Sequence, residues 1–146
     1  MLKALIALSL PVLLVACASD GPPKRINPPT VSIQEVRMEG GQCALRLRIQ
    51  NHSTVSMRFD ALSFERFDLD GRALAPLSMA PDLDVAPYTG EPFQHTIDCP
   101  DMTEGASELV YRLSGRITST EPGRRNFDFS HRSRLLPVPG LGGVYR

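Results

Sequence analysis

Three histidines and two of the three cysteines are the side chains best suited to bind a metal. No pair of histidines has the spacing of a metal-binding helix or loop. We interpret His52 as a turn residue, and His95 and His131 as partly buried, hydrogen-bonded imidazoles. The alternative is a zinc site. Its ligands would be Cys43, Cys99, His95 and His131.

Two acidic segments and several serines offer other chemistry. The segment 68–71 (Asp-Leu-Asp-Gly) has two calcium-type oxygen ligands, but the later glycine and terminal Glu of an EF-hand loop do not follow it. We interpret it as a hairpin turn, and 82–84 (Asp-Leu-Asp) as a solvated loop. A hydrolase would need a serine in a nucleophile elbow together with a histidine and a carboxylate, and no such elbow surrounds Ser53, Ser63 or Ser78. The sequence therefore predicts no enzyme, no metal and no cofactor.

The first sixteen residues have the composition of a secretory signal peptide. Lys3 provides a positive charge, and residues 4–15 form an almost entirely apolar run. The run is shorter than the roughly 20 apolar residues that cross a bilayer. We therefore predict that residues 1–16 are a targeting segment that is removed.

The segment Leu14-Val15-Ala16-Cys17 resembles the lipobox of bacterial lipoproteins. That resemblance implies a diacylglyceryl group on the Cys17 thiol, cleavage before Cys17, and a membrane partner reached through this anchor. Two or three acyl chains make a stable anchor, at about 0.8 kcal/mol per buried methylene. Ala18, where no Asp follows the cysteine, indicates the outer membrane of a Gram-negative cell, facing the periplasm. The alternative is a plain secretory signal with a cysteine near its cleavage site.

Charge and cysteine content limit the function classes further. The chain has 16 basic and 16 acidic side chains, of which the signal segment carries only Lys3. A near-neutral domain argues against nucleic-acid binding, which requires a basic patch. Once Cys17 is acylated, Cys43 and Cys99 can form one disulfide, which an oxidising compartment permits. It would close a loop of about 57 residues and stabilise the domain by roughly 4 kcal/mol.

The residues after the signal segment are predicted to form a tether, one domain and a C-terminal tail. Residues 17–29 are proline-rich and, if extended, would reach about 35 to 40 Å from the membrane. In residues 30–135, apolar and polar side chains alternate, which predicts short strands. Residues 136–146, rich in Pro and Gly, show no periodicity. This tail either covers an edge strand or meets a partner.

Alternation with a period of two predicts the strands. Its clearest example is 43–49, where apolar residues lie on one face and arginines on the other. The phase of the apolar positions changes between Ile33 and Val36, which predicts a bulge near Gln34 and Glu35. Six to eight such segments, separated by turns, predict a two-sheet antiparallel sandwich. Gly115 falls at an inward position, so a neighbour is expected to approach its backbone closely.

The order of these segments is similar to the type 2 late-embryogenesis-abundant (LEA) proteins and their water-stress and hypersensitive-response domain. The similarity covers roughly residues 28–135 and rests on Asn27-Pro28-Pro29, the strand 45–51, and Leu62-Ser63-Phe64 followed by Asp70-Gly71. The family strand ends in Asn-Pro-Asn, whereas this one ends in Asn51-His52-Ser53. The resemblance implies an immunoglobulin-like or fibronectin-III-like β-sandwich of about seven strands. It also implies a non-catalytic binding or stress-protection role.

Four arginines are predicted to point outward from two strands and to form a binding face for an acidic partner or glycan. They are Arg46, Arg48, Arg112 and Arg116. The simpler interpretation is a solvated face matched by nearby carboxylates. The sequence thus predicts a monomeric, membrane-anchored, non-catalytic lipoprotein of the cell envelope. The alternative is an accessory or assembly subunit that binds an envelope protein partner.

Overall fold

The structure, a computed structural model, describes residues 21–74, 76–102 and 105–146. Within these ranges the chain forms strands and no helix, so the predicted all-β class is confirmed. Ten strands follow one another: β1 (Thr30–Glu39), β2 (Gln42–Gln50), β3 (Met57–Leu69), β4 (Arg72–Leu74), β5 (Leu77–Met79), β6 (Leu83–Val85), β7 (Gly90–Asp98), β8 (Leu109–Glu121), β9 (Arg125–Leu135) and β10 (Val144–Tyr145).

The strands form two antiparallel sheets that pack face to face. The first has the order β10-β1-β2-β7, and the second has the order β4-β3-β8-β9, with β5 and β6 also pairing with β3. The predicted sandwich is therefore present. Its strand number exceeds the predicted seven because one edge is divided into β4, β5 and β6, and because the C-terminal segment adds β10.

Strand β2 shows how the sequence pattern determines the core. Cys43, Leu45, Leu47 and Ile49 are fully buried, whereas Arg46 between them is exposed. Each fully buried leucine or isoleucine contributes about 1.5 to 3 kcal/mol relative to an exposed one. The same alternation continues in β8, where Leu109, Tyr111, Leu113 and Ile117 face the core. A helix could not place these residues on one side.

The predicted bulge in β1 is confirmed. The pairing of β1 with β2 shifts between Ile33 and Glu35, so Gln34 is the extra residue. Tyr111 of the opposite sheet reaches this point, where its hydroxyl donates to the Ile33 carbonyl and accepts from the Ile33 amide, both at 3.2 Å. Burial raises the pKa of the Tyr111 hydroxyl. The bulge leaves Ile33 and Val36 both buried and places Glu35 on the outer face.

Strand β3 is the long central strand of the second sheet. It ends in the predicted hairpin, where Asp70 and Gly71 have φ of 51° and 75°. Both values lie in the left-handed region that a primed turn requires. Gly115 of β8 lies directly against β3, and a Cβ at this position would overlap the Ser63 carbonyl oxygen. The expected close approach is therefore present, and glycine is needed there.

The disulfide between Cys43 and Cys99 is confirmed, with an S–S distance of 2.01 Å. It joins β2 to the residue that follows β7 in the same sheet. Both thiols are consumed in this bond, so the alternative zinc site is wrong. His95 on β7 and His131 on β9 also lie in different sheets.

The C-terminal segment is part of the sandwich, and the predicted domain boundary at residue 135 is too early. Val144 and Tyr145 pair with β1 and are almost completely buried. Main-chain hydrogen bonds join Leu136 and Arg146 in both directions, at 2.7 and 2.8 Å. Of the two alternatives for this tail, the structure has the one in which it covers an edge strand.

The tether before the sandwich is also shorter than the sequence predicted. The Arg25 amide donates to Thr54 Oγ1 at 2.8 Å, and the Asn27 amide donates to Ser53 Oγ at 2.9 Å. The chain is therefore attached to the sandwich from about Pro23 onward. Residues 1–20, with Cys17 and the rest of the predicted tether, lie outside the described residues. No helix among the described residues is long and apolar enough to cross a membrane.

Candidate functional site

The four predicted arginines do not form one face, and that prediction is wrong. Arg46 and Arg48 lie on β2 in the first sheet, whereas Arg112 and Arg116 lie on β8 in the second. The outer faces of two packed sheets point in opposite directions. Arg116 is also matched by Asp128, at 3.2 Å. The period of two distinguishes inward from outward, but it does not state to which sheet a strand belongs.

Arg46 and Arg48 instead belong to a depression on the outer face of the first sheet, with a volume of about 420 Å³. We call this depression the arginine groove. It is lined by Gln34, Glu35, Arg46, Arg48, Pro92 and Arg146. Three guanidinium groups and one carboxylate therefore share the same small volume, so the groove is positively charged.

Strand register explains how residues so distant in sequence meet here. Glu35 pairs with Arg46, and Arg46 pairs with Gln94 on β7. On the other side of β1, Val36 pairs with Tyr145, so the next residue, Arg146, lies beside Glu35. One row of outward side chains thus crosses the sheet from the C-terminal segment to β7. Without the bulge at Gln34, Glu35 would point into the core.

Glu35 holds one wall of the groove together. Its carboxylate accepts from Arg146 Nε at 2.6 Å and from an Arg37 guanidinium nitrogen at 3.2 Å, and its side chain is only 12% exposed. The hydrogen bond from Arg146 is the main reason that the pKa of Glu35 is lowered, although burial opposes it. Because the folded state favours the charged form, this pair stabilises the protein above the usual pKa of a glutamate.

A Glu35→Gln variant is expected to lose up to about 1 kcal/mol of unfolding free energy at neutral pH, because both arginine partners are half exposed and water screens them. The lowered pKa means that this contribution disappears as the pH falls through the folded-state value. Urea unfolding at several pH values measures the difference. Glu65→Gln, at an exposed glutamate, is the matched control. An equal difference at all pH values would contradict this assignment.

Arg46 and Arg48 form the other wall, and neither makes an ion pair with a carboxylate in the described part of the chain. The Nε atom of Arg48 is buried and has no hydrogen-bond partner among residues 21–74, 76–102 and 105–146. This side chain crosses the backbone of Gly90, where a Cβ would overlap its Nε. A buried donor without a partner costs about 1 to 3 kcal/mol, or more when it is charged. An anion in the groove would accept hydrogen bonds from the guanidinium groups of Arg46 and Arg48, which line it.

The sequence contained a signal for Glu35 but none for Arg146. The phase change near Gln34 implied that Glu35 points outward, next to the arginines of β2. Arg146 follows a strand of two residues, which is too short to show alternation. Its position depends on main-chain pairing, and this pairing places no demand on residue type.

The other candidate sites do not bring together the groups that their chemistry would need. The Nε2 atom of His52 is 3.1 Å from Thr30 Oγ1, and the ring of His131 packs 5.8 Å from that of Tyr111. The loop predicted at 82–84 is wrong, because it leads directly into strand β6, and Asp82 and Asp84 both pair with Arg58. In the described ranges, no three His, Cys, Asp or Glu side chains lie together as a metal site requires.

A larger concavity, of about 770 Å³, lies at the end of the sandwich that contains the disulfide. We call this the disulfide end. Its described lining includes Met38, the Gly40-Gly41 turn, Cys99, Met102 and Leu141. The lining also contains the side chains of Glu39, Asp101 and Ser107, whereas the arginine groove brings three guanidinium groups together. The arginine groove, although smaller, is therefore the better candidate site.

Comparisons with known proteins give information on the fold. No family model matches the sequence, and no curated protein matches it. A solution structure of an Arabidopsis thaliana protein is similar with a TM-score of 0.51 and 13% identity, over 80% of this chain and 84% of that chain. The fold defined here, an antiparallel β-sandwich, is therefore shared with a solved protein.

Two further solved structures are more distant. One carries a provisional description as a late embryogenesis abundant protein, with a TM-score of 0.49 and 12% identity over 75% of this chain and 71% of that one. The other, from Archaeoglobus fulgidus, has a TM-score of 0.45 and 10% identity over 77% of this chain and 98% of that one.

Proposed function

We propose that this chain is a lipid-anchored, non-catalytic lipoprotein of the bacterial cell envelope, whose β-sandwich is a binding or stress-protection module. The anchor is supported by the lipobox-like segment that ends at Cys17. The protective role is supported by the similarity to the LEA type 2 domain in the segments 45–51 and 62–71. The cell compartment that follows from these features is the periplasmic face of the outer membrane.

The arginine groove is the proposed binding site, and its ligand is a carboxylate or phosphate group. The observation that carries this proposal is that Arg46 and Arg48 line the groove together and neither forms an ion pair with a carboxylate of the described residues. A guanidinium presents several donors in one plane and fits such anions in a bidentate manner. Glu35 and Arg146 form a fixed opposite wall, which limits the ligand to a small acidic group or the end of an acidic side chain.

Binding of inorganic pyrophosphate, and of a short glutamate peptide as a second probe, tests the groove. Arg46→Ala and Arg48→Ala are each expected to weaken binding about tenfold, because each removes charged hydrogen-bond donors. Gly90→Ala retains both charges but displaces Arg48, so it is expected to weaken binding with little change in stability. Titration calorimetry at low salt measures these effects, since salt screens exposed charges.

Arg112→Ala is the matched control for these variants, because Arg112 lies on the outer face of the other sheet. It removes the same charge and is expected to leave binding unchanged. If Arg112→Ala weakened binding as much as Arg48→Ala, the protein would be acting through its net charge. If no variant changed binding, the groove would not be the site.

The proposed anchor has its own test. A Cys17→Ser variant cannot be acylated. Without acyl chains the protein has no stable membrane anchor, so we expect it to leave the membrane fraction. Membrane fractionation followed by mass spectrometry of the mature N-terminus measures both location and lipid. A Cys17→Ser protein that remained fully in the membrane would contradict the assignment.

An accessory subunit of an envelope complex is the second candidate. The observation in its favour is that the C-terminal segment exposes two large apolar side chains, Leu136 at 55% and Leu141 at 50%. Mild detergent extraction discriminates the two candidates. A subunit should co-purify with a stoichiometric partner and lose it in a Leu136→Ser/Leu141→Ser variant, whereas a stress-protection module should be isolated alone.

A further inference from the structure

The N-terminal segment is attached to one end of the sandwich by a set of hydrogen bonds that we call the clasp. Thr54 and Arg25 are joined twice, because the Arg25 amide donates to Thr54 Oγ1 at 2.8 Å and the Thr54 amide donates to the Arg25 carbonyl at 3.0 Å. Asn27 bonds to His52 and Ser53, at 2.7 and 2.9 Å. Thr54 Oγ1 also approaches the Pro23 carbonyl, at 3.3 Å. The clasp fixes the direction in which the chain leaves the domain.

The clasp leaves only a short connection to the proposed lipid anchor. Pro23 is six residues after Cys17. A fully extended chain covers at most about 3.6 Å per residue, so the connection reaches no more than about 22 Å. This is about half the reach expected from a tether that extends to residue 29. A bilayer surface that holds Cys17 must therefore lie close to the clasp.

A second loop lies at the same end and presents an exposed aromatic ring. Tyr88 is 65% exposed, the highest value among the large hydrophobic side chains of the described residues. It has a φ of 57°, which L-residues rarely adopt. The turn around it is closed by the bond from the Thr89 amide to the Ala86 carbonyl, and Asn51, which precedes the clasp loop, binds both Ala86 and Thr89.

Backbone strain in an exposed tyrosine costs folding energy and gives no packing in return. Tyrosine is, however, enriched where one side of a molecule meets a bilayer, because its ring is apolar and its hydroxyl is polar. The exposed residues Lys24 and Arg25 of the clasp add two cations near the same surface. Cations at this position suit the phosphate groups of lipid headgroups.

We infer that the clasp end of the sandwich rests on the lipid surface, with Tyr88 inserted among the headgroups. This inference depends on the proposed lipidation of Cys17. The strands run away from that surface, and β1, at about 3.3 Å per residue, places the disulfide end roughly 30 Å further out. The arginine groove then faces sideways, parallel to the membrane, where it can meet a periplasmic ligand.

The absence of tryptophan from the chain makes a direct test possible. A Tyr88→Trp variant places a single indole at the clasp end, and Leu141→Trp places one at the disulfide end, where Leu141 is half exposed. Each full-length lipoprotein is reconstituted into vesicles of phosphatidylethanolamine and phosphatidylglycerol, with and without lipids brominated on their acyl chains. Lipid bromine is expected to quench the Tyr88→Trp emission at least about twofold more strongly than that of Leu141→Trp.

A longer connection provides the second arm. An insertion of about 20 Gly and Ser residues between Gly21 and Pro22 adds a flexible span of roughly 25 Å. It is expected to reduce the bromine quenching of Tyr88→Trp, while the clasp and the fold remain. Quenching that is unchanged by the insertion would show that Tyr88 binds lipid without help from the tether, and would overturn the role of the short connection.

Two different failures can be told apart. The lipid on Cys17 is measured by mass spectrometry on the same samples, and vesicle flotation measures anchoring. If the protein is not lipidated and does not float, the proposed anchor fails. If it is lipidated and floats, but Tyr88→Trp and Leu141→Trp are quenched equally, the anchor stands and the inferred orientation is overturned.

Discussion

A Cys43→Ala/Cys99→Ala double variant is expected to lose about 4 kcal/mol of unfolding free energy. The two cysteines are separated by 56 residues, and the chain-entropy model assigns this value to the closure of such a loop. The stability of a domain of this size is only about 5 to 15 kcal/mol in total, so the loss is a large fraction of it. Chemical denaturation of the full chain, followed by far-ultraviolet circular dichroism, measures the change.

The reduced wild-type protein separates loss of the crosslink from loss of side-chain packing. Cys43 is fully buried, so its replacement by alanine also removes some packing. If the crosslink is the main effect, reduction of the wild type should lower the unfolding free energy nearly as far as the double variant does. A loss below about 1 kcal/mol in both would mean that the denatured chain is not constrained by the bond, contrary to the entropic model.

The local pattern of the sequence predicted a large part of this fold. The alternation in β2, the bulge at Gln34 and the hairpin at Asp70-Gly71 each depend on neighbouring residues, because side-chain direction in a strand reverses at every residue. The pairing of Cys43 with Cys99 could also be predicted, since Cys17 was assigned to the lipid and left two thiols.

The features that the sequence did not predict depend on contacts between distant segments. Arg46 and Arg112 have the same local pattern, yet they lie on opposite faces because β2 and β8 belong to different sheets. Strand β10 forms because one edge of β1 is otherwise unpaired. The sequence of β10 itself has no periodicity that would predict a strand. The arginine groove depends both on the sheet to which β2 belongs and on the pairing of β10 with β1. From the sequence, therefore, only the two arginines of β2 could be predicted to lie together.

The sequence placed Asn51 at the end of a strand, but it did not indicate the hydrogen bonds that this side chain makes. It stands where the proteins that the sequence resembles have the first asparagine of Asn-Pro-Asn, and it is fully buried. Its two amide hydrogens are shared among the carbonyls of Val55, Val85 and Ala86, at nitrogen–oxygen distances of 2.8 to 3.2 Å. Its side-chain oxygen accepts from the Ser53 amide at 2.8 Å. One side chain thus joins the clasp loop to the turn that presents Tyr88.

An Asn51→Leu variant is therefore expected to lose roughly 3 kcal/mol or more of unfolding free energy, because it retains the volume but leaves several buried backbone groups without partners. Asn126→Leu is the matched control. Asn126 is exposed and makes one side-chain hydrogen bond, from Thr118 at 2.8 Å, so its loss should cost about 1 kcal/mol or less. Equal losses in the two variants would contradict the role given to Asn51.

An Asn51→Asp variant tests the direction of these hydrogen bonds. A carboxylate can accept from Ser53 but cannot donate to the three carbonyls, and its burial would raise its pKa above the usual value. Protonation restores a donor, so the destabilisation relative to Asn51→Leu should become smaller as the pH is lowered through that raised pKa. Denaturation of both variants across the acidic range measures this difference. A difference that stayed constant with pH would mean that the amide acts through its shape and not through its donors.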